Sequence, residues 1–235
     1  MSTSTPDHRP TVVGTDVEDA GGTRVDAPTV DAPPAPLPAP PAPRESRRAG
    51  TDIALVATFA AFVAACALVP PVPTASGVPI TLQTFGVVVA GLVLGARRGF
   101  LAVALYLVVG LAGVPVFAEM TGGLGVLGKP SVGYLLAFPA AAAVAGWLGG
   151  LALRARPRLR YLLLVAAGLG SSFLVTHPAG IVGLMARLGV SPGEALAIDV
   201  VYWPGDLVKN LLAAGVTLAV LRAFPDLRRG RRADA

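Results

Sequence analysis

The sequence predicts an all-α, polytopic membrane protein, on the basis of its composition, the spacing of its apolar segments and the placement of its arginines. Of the 235 residues, 54% are hydrophobic and only 14% are charged, and the mean hydropathy is +0.67. Soluble domains have about 25% charged residues. We therefore expect most of the chain to lie in a lipid bilayer.

The first 50 residues differ from the rest in composition. Residues 1–50 carry a net charge of −2 and residues 51–235 carry +7. The stretch DAPPAPLPAPPAPRESRR is rich in Pro and Ala and is typical of a disordered arm. The first 30 residues lack the apolar core of a secretory signal. We predict a disordered N-terminal tail over 1–50, a membrane domain over 51–223 and a basic cytoplasmic tail over 224–235.

Six apolar segments follow the tail, each bounded by Pro, Gly or Arg. A helix needs about 20 residues to span the hydrocarbon core, with about 17 as the lower limit. The second and third segments are slightly short, so we expect loops that dip into the helical body. The sequence predicts six transmembrane helices, close to the ranges Ile53–Val69, Thr81–Ala96, Gly99–Val114, Val132–Leu153, Tyr161–Met185 and Gly205–Leu221.

Arginines mark one end of every predicted helix. They precede helix 1, join helices 2 and 3, join helices 4 and 5, and follow helix 6, whereas the opposite side has only Lys129 and Arg187 in its loops. The positive-inside rule then places both termini in the cytoplasm. Because the arginines lie at alternate helix junctions and do not form one patch, we expect no nucleic-acid partner.

The stretch GGLGVLGKPS resembles a phosphate-binding loop. Gly123, Gly128 and Lys129 match that motif, but Pro130 replaces the Ser or Thr that would hold magnesium. The stretch also falls on the predicted outer face, between helices 3 and 4. We predict that it is a lid over a ligand and not a nucleotide site.

Small residues at four-residue spacing predict where helices approach closely. Gly146 and Gly150 in helix 4 are expected to pack inside the bundle. Ala57 and Ala61 belong to a helix 1 that is alanine-lined along much of its length. We predict that these two alanines dock a partner protein.

The strongest candidate for a ligand site is the stretch YWPGDLVKN. Asp206 and Lys209 stand three residues apart and share one face of helix 6. Ionisable groups at membrane depth are costly and are usually functional. The alternative is an aspartate stabilised by the helix N-terminus with a lysine partner. Trp203, just before the pair, is either an interfacial anchor or a ligand contact.

Two outer loops are expected to complete the site. Thr81, Gln83 and Thr84 lie at the start of helix 2, and helix capping is the simpler role for each. The glycine-rich loop and the start of helix 4 supply Phe117, Glu119, Lys129 and Tyr134. Together with Asp206 and Lys209, these residues predict a chamber that opens to the exterior.

His177 precedes Pro178 in the fifth segment. It has no second histidine in the membrane part and no Cys or carboxylate at metal-ligand spacing, so we predict no metal site and no cofactor. We expect a histidine with satisfied hydrogen bonds beside a proline kink. An intramembrane enzyme using His177 and Asp206, and a purely structural membrane protein, are the alternatives from other classes.

The stretches GVPITLQTFGVVVAGLVLGARRG, LYLVVGLAGVPVFAEMTGGLGVLGKPSVGYLLAFP and WPGDLVKN resemble, in order, the signature blocks of the BioY family. These are biotin-binding S components of energy-coupling-factor (ECF) transporters. The resemblance implies a non-enzymatic, six-helix plasma-membrane protein that captures biotin from outside and joins a transmembrane coupling protein and two cytoplasmic ATPases.

By the same resemblance, Asp206 and Lys209 are ligand residues, as are Glu119, Lys129, Tyr134 and Gln83, while Ala57 and Ala61 dock the coupling protein. The run from Lys129 to Tyr134 departs from the Gly-Pro-Thr-Gly-Gly-Tyr of many members, and His177-Pro178 is more polar than usual. An S component for another small vitamin is the nearest alternative.

Overall fold

The computed structural model describes residues 43–227, with side chains from residue 49 onward. Within that range all the regular secondary structure is helical, apart from two isolated β-bridges, Val72–Ile80 and Phe117–Thr121. The helices are α1 (Pro43–Leu68), α2 (Gln83–Leu94), α3 (Ala96–Leu111), α4 (Val132–Arg154), α5 (Arg160–Ser171), α6 (His177–Leu188), α7 (Pro192–Val200) and α8 (Trp203–Ala223).

The predicted tails fall largely outside the described residues, which exclude 1–42 and 228–235. At the N-terminal boundary, α1 begins at Pro43, inside the segment predicted as tail. Proline is favoured at the first helical position because its φ suits a helix and its missing N–H would have had no partner.

Four helical segments are long and apolar enough to cross a membrane, namely Ala49–Leu68, Val132–Arg154, Pro157–Leu188 and Trp203–Ala223. α2 is apolar but has 12 residues, and α3 has 16. Both are shorter than the roughly 20 residues of a full span. The helical membrane class is therefore confirmed, and the number of crossings stays a prediction.

α4 lies at the centre of the bundle, where it contacts α2, α3, α5 and α6. Glycines bring these helices together. A Cβ atom on Gly91 of α2 would collide with the carbonyl of Ala142 in α4, and one on Gly146 would collide with the backbone of Gly95. Gly150 faces open space, so of the two glycines predicted to pack in α4, only Gly146 has a close neighbour.

The predicted fifth helix is a rod of α5 and α6 joined by a π-helical turn, Ser172–Thr176. Pro178 lies in the first turn of α6, where its missing N–H can be tolerated because the widened turn has already shifted the hydrogen-bond ladder. Thr176, the last residue of this turn, and His177, which follows it, are both buried. The predicted proline kink is thus a π-helical turn that carries His177 into the interior.

α7 was not among the predicted segments. It is nucleated by a capping box in which Ser191 Oγ accepts a hydrogen bond from the Glu194 N–H and Glu194 accepts one from the Ser191 N–H. The Ser191 hydroxyl also donates to Glu194 Oε2 at 2.7 Å, and this bond and the one from the Ser191 N–H hold the pKa of Glu194 below its usual value. The stretch SPGE is the sequence signal for this start. α7 places Asp199 in the protein interior.

Candidate functional site

A chamber lies at one end of the bundle, between the 72–80 loop, α2, the 115–131 loop, α4, α6 and α8. Its empty volume is about 830 Å³, a figure that includes open solvent at its mouth. Its polar lining includes Gln83, Thr84, Glu119, Lys129, Thr176, His177, Asp206 and Lys209, and its aromatic lining is Phe117, Tyr134, Phe138 and Tyr202.

Asp206 and Lys209 lie together on the face of α8 that lines this chamber. Lys209 Nζ donates to Asp206 Oδ1 at 3.1 Å and to Thr84 Oγ1 at 3.0 Å. Thr84 Oγ1 in turn donates to Asp206 Oδ1 at 3.3 Å. The side chain of Asp206 is 4% exposed and that of Lys209 is 14% exposed. The pair therefore forms a buried, bonded unit and not a solvated pair at a helix end.

His177 is not the isolated histidine that the sequence suggested. Its Nδ1 is 2.9 Å from Asp199 Oδ1, and its Nε2 is 3.4 Å from Asp206 Oδ2. The second contact is an ion-pair distance without a hydrogen bond, since Nε2 has no hydrogen-bond partner among the described residues. The Nδ1 contact agrees with the expected satisfied histidine, but the two carboxylates were not expected. They are distant in sequence and reach the ring through the packing of α7 against α6 and of α8 against α5.

Asp199 is the functional candidate that the sequence reasoning missed. Its side chain is 0% exposed and accepts from Tyr134 Oη at 2.7 Å, from Trp203 Nε1 at 2.9 Å and from His177. Trp203, predicted as a ligand contact, instead has its indole N–H directed to Asp199 and lies outside the chamber lining. Asp199, His177 and Asp206 are close, yet no described group of three acidic, His or Cys side chains is arranged to hold a metal.

Gln83 and Phe117 form part of a buried wall. Gln83 Nε2 donates to Tyr106 Oη at 2.6 Å, and the ring of Phe117 packs edge-on against Tyr106 with centroids 5.4 Å apart. Gly110 admits that ring, since a Cβ there would overlap it. Gln83 is thus hydrogen-bonded to α3 and does not cap α2. Both Gln83 and Phe117 also line the chamber.

Glu119 and Lys129 connect two parts of the loop over the chamber mouth. Lys129 Nζ is 3.2 Å from Glu119 Oε2, and the two side chains are 38% and 53% exposed. Glu119 and Met120 both have left-handed backbones, with φ of 60° and 54°. Such conformations cost about 1–3 kcal/mol each and concentrate at ligand clamps. The loop is held in a strained form by its own contacts.

The opposite rim of the chamber is held by Tyr202, the residue before α8. Its hydroxyl donates to the Val78 carbonyl at 2.8 Å and is 3.0 Å from Ser76 Oγ. Paired hydrogen bonds between Val72 and Ile80, at 2.9 and 2.8 Å, close the base of the same loop. Loop segments that are remote in sequence are therefore tied to the start of α8, close to Asp206.

Comparisons with known proteins agree with this architecture. The family model described as "BioY family" matches residues 42–226. A protein named biotin transporter BioY from Rhodobacter capsulatus is 37% identical over 194 residues, covering 76% of this chain and 98% of the relative. A protein of the same name from Rhizobium etli is 33% identical over 177 residues, covering 74% and 95%.

The fold has also been seen in a solved structure. A crystal structure of the S-component for biotin from an ECF-type ABC transporter matches with a TM-score of 0.67 and 22% identity, over 75% of this chain and 93% of that one. At this identity the match concerns the fold alone. Because the family model spans most of the sequence and both relatives align over nearly their whole length, this chain belongs to the BioY family.

Proposed function

We propose that this protein is the substrate-capture subunit of an ECF transporter and binds biotin in the chamber between α2, α4, α6 and α8. The observation that carries the proposal is the Asp206–Lys209 pair, largely withdrawn from solvent and lining the chamber of a member of the BioY family. Biotin is proposed as the ligand because the relatives are named biotin transporters. As a member of a transporter family, the protein is a transport subunit and not an enzyme.

The chemistry of biotin fits these residues. Its ureido ring carries two N–H donors and a carbonyl, and its valerate chain ends in a carboxylate. Asp206 can accept from a ureido N–H, and Lys209 can donate to the carbonyl or to the carboxylate. Gln83 offers a further amide, and the fused rings can pack on Phe117 and Tyr134, which line the chamber.

Equilibrium binding of radiolabelled biotin to the purified full chain tests this function. We expect a Kd of about 1 μM or tighter, equivalent to about −8 kcal/mol. Unlabelled riboflavin and thiamine, added as competitors, distinguish an S component for another vitamin. A biotin Kd no better than millimolar, or displacement by one of these vitamins alone, would remove the assignment.

We further propose six membrane crossings with both termini in the cytoplasm of a plasma-membrane protein. The arginines at alternate helix junctions support this orientation, with Arg156 and Arg158 on the inner side and Glu194 on the outer side. In a Cys66→Ala background, Glu194→Cys should react with an impermeant maleimide on intact cells, and Arg156→Cys only after permeabilisation. The reverse pattern would invert the topology.

The partners are proposed to be a transmembrane coupling protein and two cytoplasmic ATPases, as membership of the BioY family implies. Ala57 and Ala61 are exposed on α1 and support docking there, since small side chains permit close helix approach in lipid. Ala57→Leu and Ala61→Leu should each lower co-purification with the coupling module at least about fivefold.

Biotin binding by these two variants should be unchanged. Ala166→Leu, at an exposed alanine of α5, is the matched control and should co-purify normally. If it loses the module as strongly as the α1 variants do, docking through α1 is wrong.

The loop over the mouth should slow ligand release. Glu119→Ala or Lys129→Ala removes an exposed ion pair of a kind worth about 0–1 kcal/mol, so the release rate should rise roughly twofold to fivefold. Stopped-flow displacement of labelled biotin measures it. The double variant should release no faster than either single variant, and Lys129→Arg should behave like the parent. Parental release rates in both alanine variants would show that this pair does not hold the loop.

A further inference from the structure

Four ionisable side chains form a row of alternating charge type from α7 to the chamber. Asp199 on α7 contacts His177 on α6 at 2.9 Å, His177 contacts Asp206 on α8 at 3.4 Å, and Asp206 contacts Lys209 at 3.1 Å. The side chains of the first three are 0%, 4% and 4% exposed. The family resemblance covers the last two members, whereas Asp199 and His177 have no assigned role.

The neighbours of Asp199 favour a particular placement of the protons. Tyr134 and Trp203 both donate to Asp199, and an indole N–H can only donate. The indole N–H makes Asp199 Oδ2 an acceptor, and a protonated Nδ1 on His177 would add a third donor to this carboxylate. A buried carboxylate needs a countercharge. In the part of the chain that the structure describes, His177 is the only cationic partner within 4.0 Å of Asp199.

The second ring nitrogen of His177, Nε2, also faces a carboxylate and is also expected to carry a proton. Nε2 of His177 faces Asp206 Oδ2, and a lone pair there would oppose the carboxylate, whereas a proton would be attracted to it. An imidazolium satisfies both neighbours and makes the row Asp199, His177, Asp206 and Lys209 electrically neutral. His177 lines the chamber, but its Nε2 is buried and directed at Asp206, so we expect its influence on a ligand to pass through Asp206.

We propose that His177 is an imidazolium that orients the ligand-facing carboxylate of Asp206 from behind, and that Asp199 is the positioning residue that holds His177. Asp206 Oδ1 is held by hydrogen bonds from Thr84 and Lys209, and Oδ2 faces His177 Nε2 at the ion-pair distance of 3.4 Å. With both oxygens constrained, the carboxylate presents its remaining acceptor sites to a donor such as a ureido N–H. The ligand role of Asp206 rests on the proposed function.

A spectroscopic test requires no ligand. The chain has two histidines, so His8→Gln leaves His177 as the sole source of imidazole signals. With ring-¹⁵N histidine in the purified full chain at neutral pH, both ring nitrogens should give the shifts of protonated sites. Asp199→Asn in the same background should convert the ring to a neutral form with one protonated nitrogen. A neutral ring in the His8→Gln parent would overturn the proposal.

A double-mutant cycle tests the action through Asp206. His177→Gln should weaken biotin binding roughly 10-fold or more in the parent, because it removes the buried cation that faces Asp206 at 3.4 Å. In an Asp206→Asn background the same change should cost less than about threefold, because the carboxylate it orients is gone. Additive losses would mean that His177 does not act through Asp206.

Ser171→Ala is the control for general loss of buried polar contacts. Ser171 is on the same α5–α6 rod as His177 and lies outside the chamber lining. The change removes a 2.6 Å hydrogen bond to the Ala141 carbonyl of α4. Its Kd should equal that of the parent. Should His177→Gln fail to fold, Asp199→Asn takes its place in the cycle. A parent that does not bind biotin would refute the proposed function, while the ¹⁵N spectrum would still decide the protonation of His177.

Discussion

Asp206→Asn should lower the affinity for biotin by roughly 30-fold to 3,000-fold, which corresponds to about 2–5 kcal/mol for truncating one member of a buried charge pair at an interface. The loss has two sources. The ligand donor meets an amide in place of a carboxylate, and Lys209 and His177 lose the anion that lies between them. Lys209→Met should cause a loss of similar size.

Equilibrium binding to the monodisperse, folded fraction measures this effect separately from any loss of stability. Asp52→Asn provides the matched control, because Asp52 is ion-paired with Arg98 at 2.8 Å and neither residue lines the chamber. It should bind biotin as the parent does. Parental affinity in both Asp206→Asn and Lys209→Met would show that biotin binds elsewhere.

Two glycines of α4 should respond to alanine in opposite directions. A Cβ at Gly146 would strike the backbone where α2 joins α3, near Gly95 and Ala96, whereas a Cβ at Gly150 meets nothing within 4 Å. Gly146→Ala should therefore destabilise the fold by about 1–3 kcal/mol, because two backbones must separate. Gly150→Ala should be neutral or stabilising by up to about 1 kcal/mol, because alanine favours a helix interior.

The midpoint of thermal unfolding in detergent, at one heating rate for both variants, measures this contrast. Both changes add the same methyl group to the same helix, so differences in helix propensity and hydrophobicity largely cancel. Equal shifts in the two variants would mean that α4 does not approach α2 and α3 as closely as the structure has it.

Local patterns were sufficient for the membrane class and the family. Apolar segments and arginine placement depend on composition over tens of residues, and both the helical membrane fold and the BioY family were confirmed. The spacing of Asp206 and Lys209 similarly fixes a shared helix face, and in the structure the two side chains meet at 3.1 Å. Their role as ligand residues stays a prediction.

Residues that depend on contacts remote in sequence were placed less well. Trp203 was predicted at the ligand because it adjoins Asp206, but its indole N–H is directed to Asp199. Asp199 lies outside the apolar segments that were long enough to predict as membrane helices. His177 has no carboxylate close enough in sequence to suggest a partner. The capping-box stretch SPGE was the one local signal that could have predicted α7.

The sequence by itself determined that this chain is a helical membrane protein of the BioY family, with an aspartate and a lysine on one helix face. Only the tertiary structure decided that a second aspartate and a histidine stand behind that pair. Helical periodicity relates residues three or four positions apart. The packing of α7 against α6 and of α8 against α5 joins side chains more than 20 positions apart, and no local pattern records such a contact.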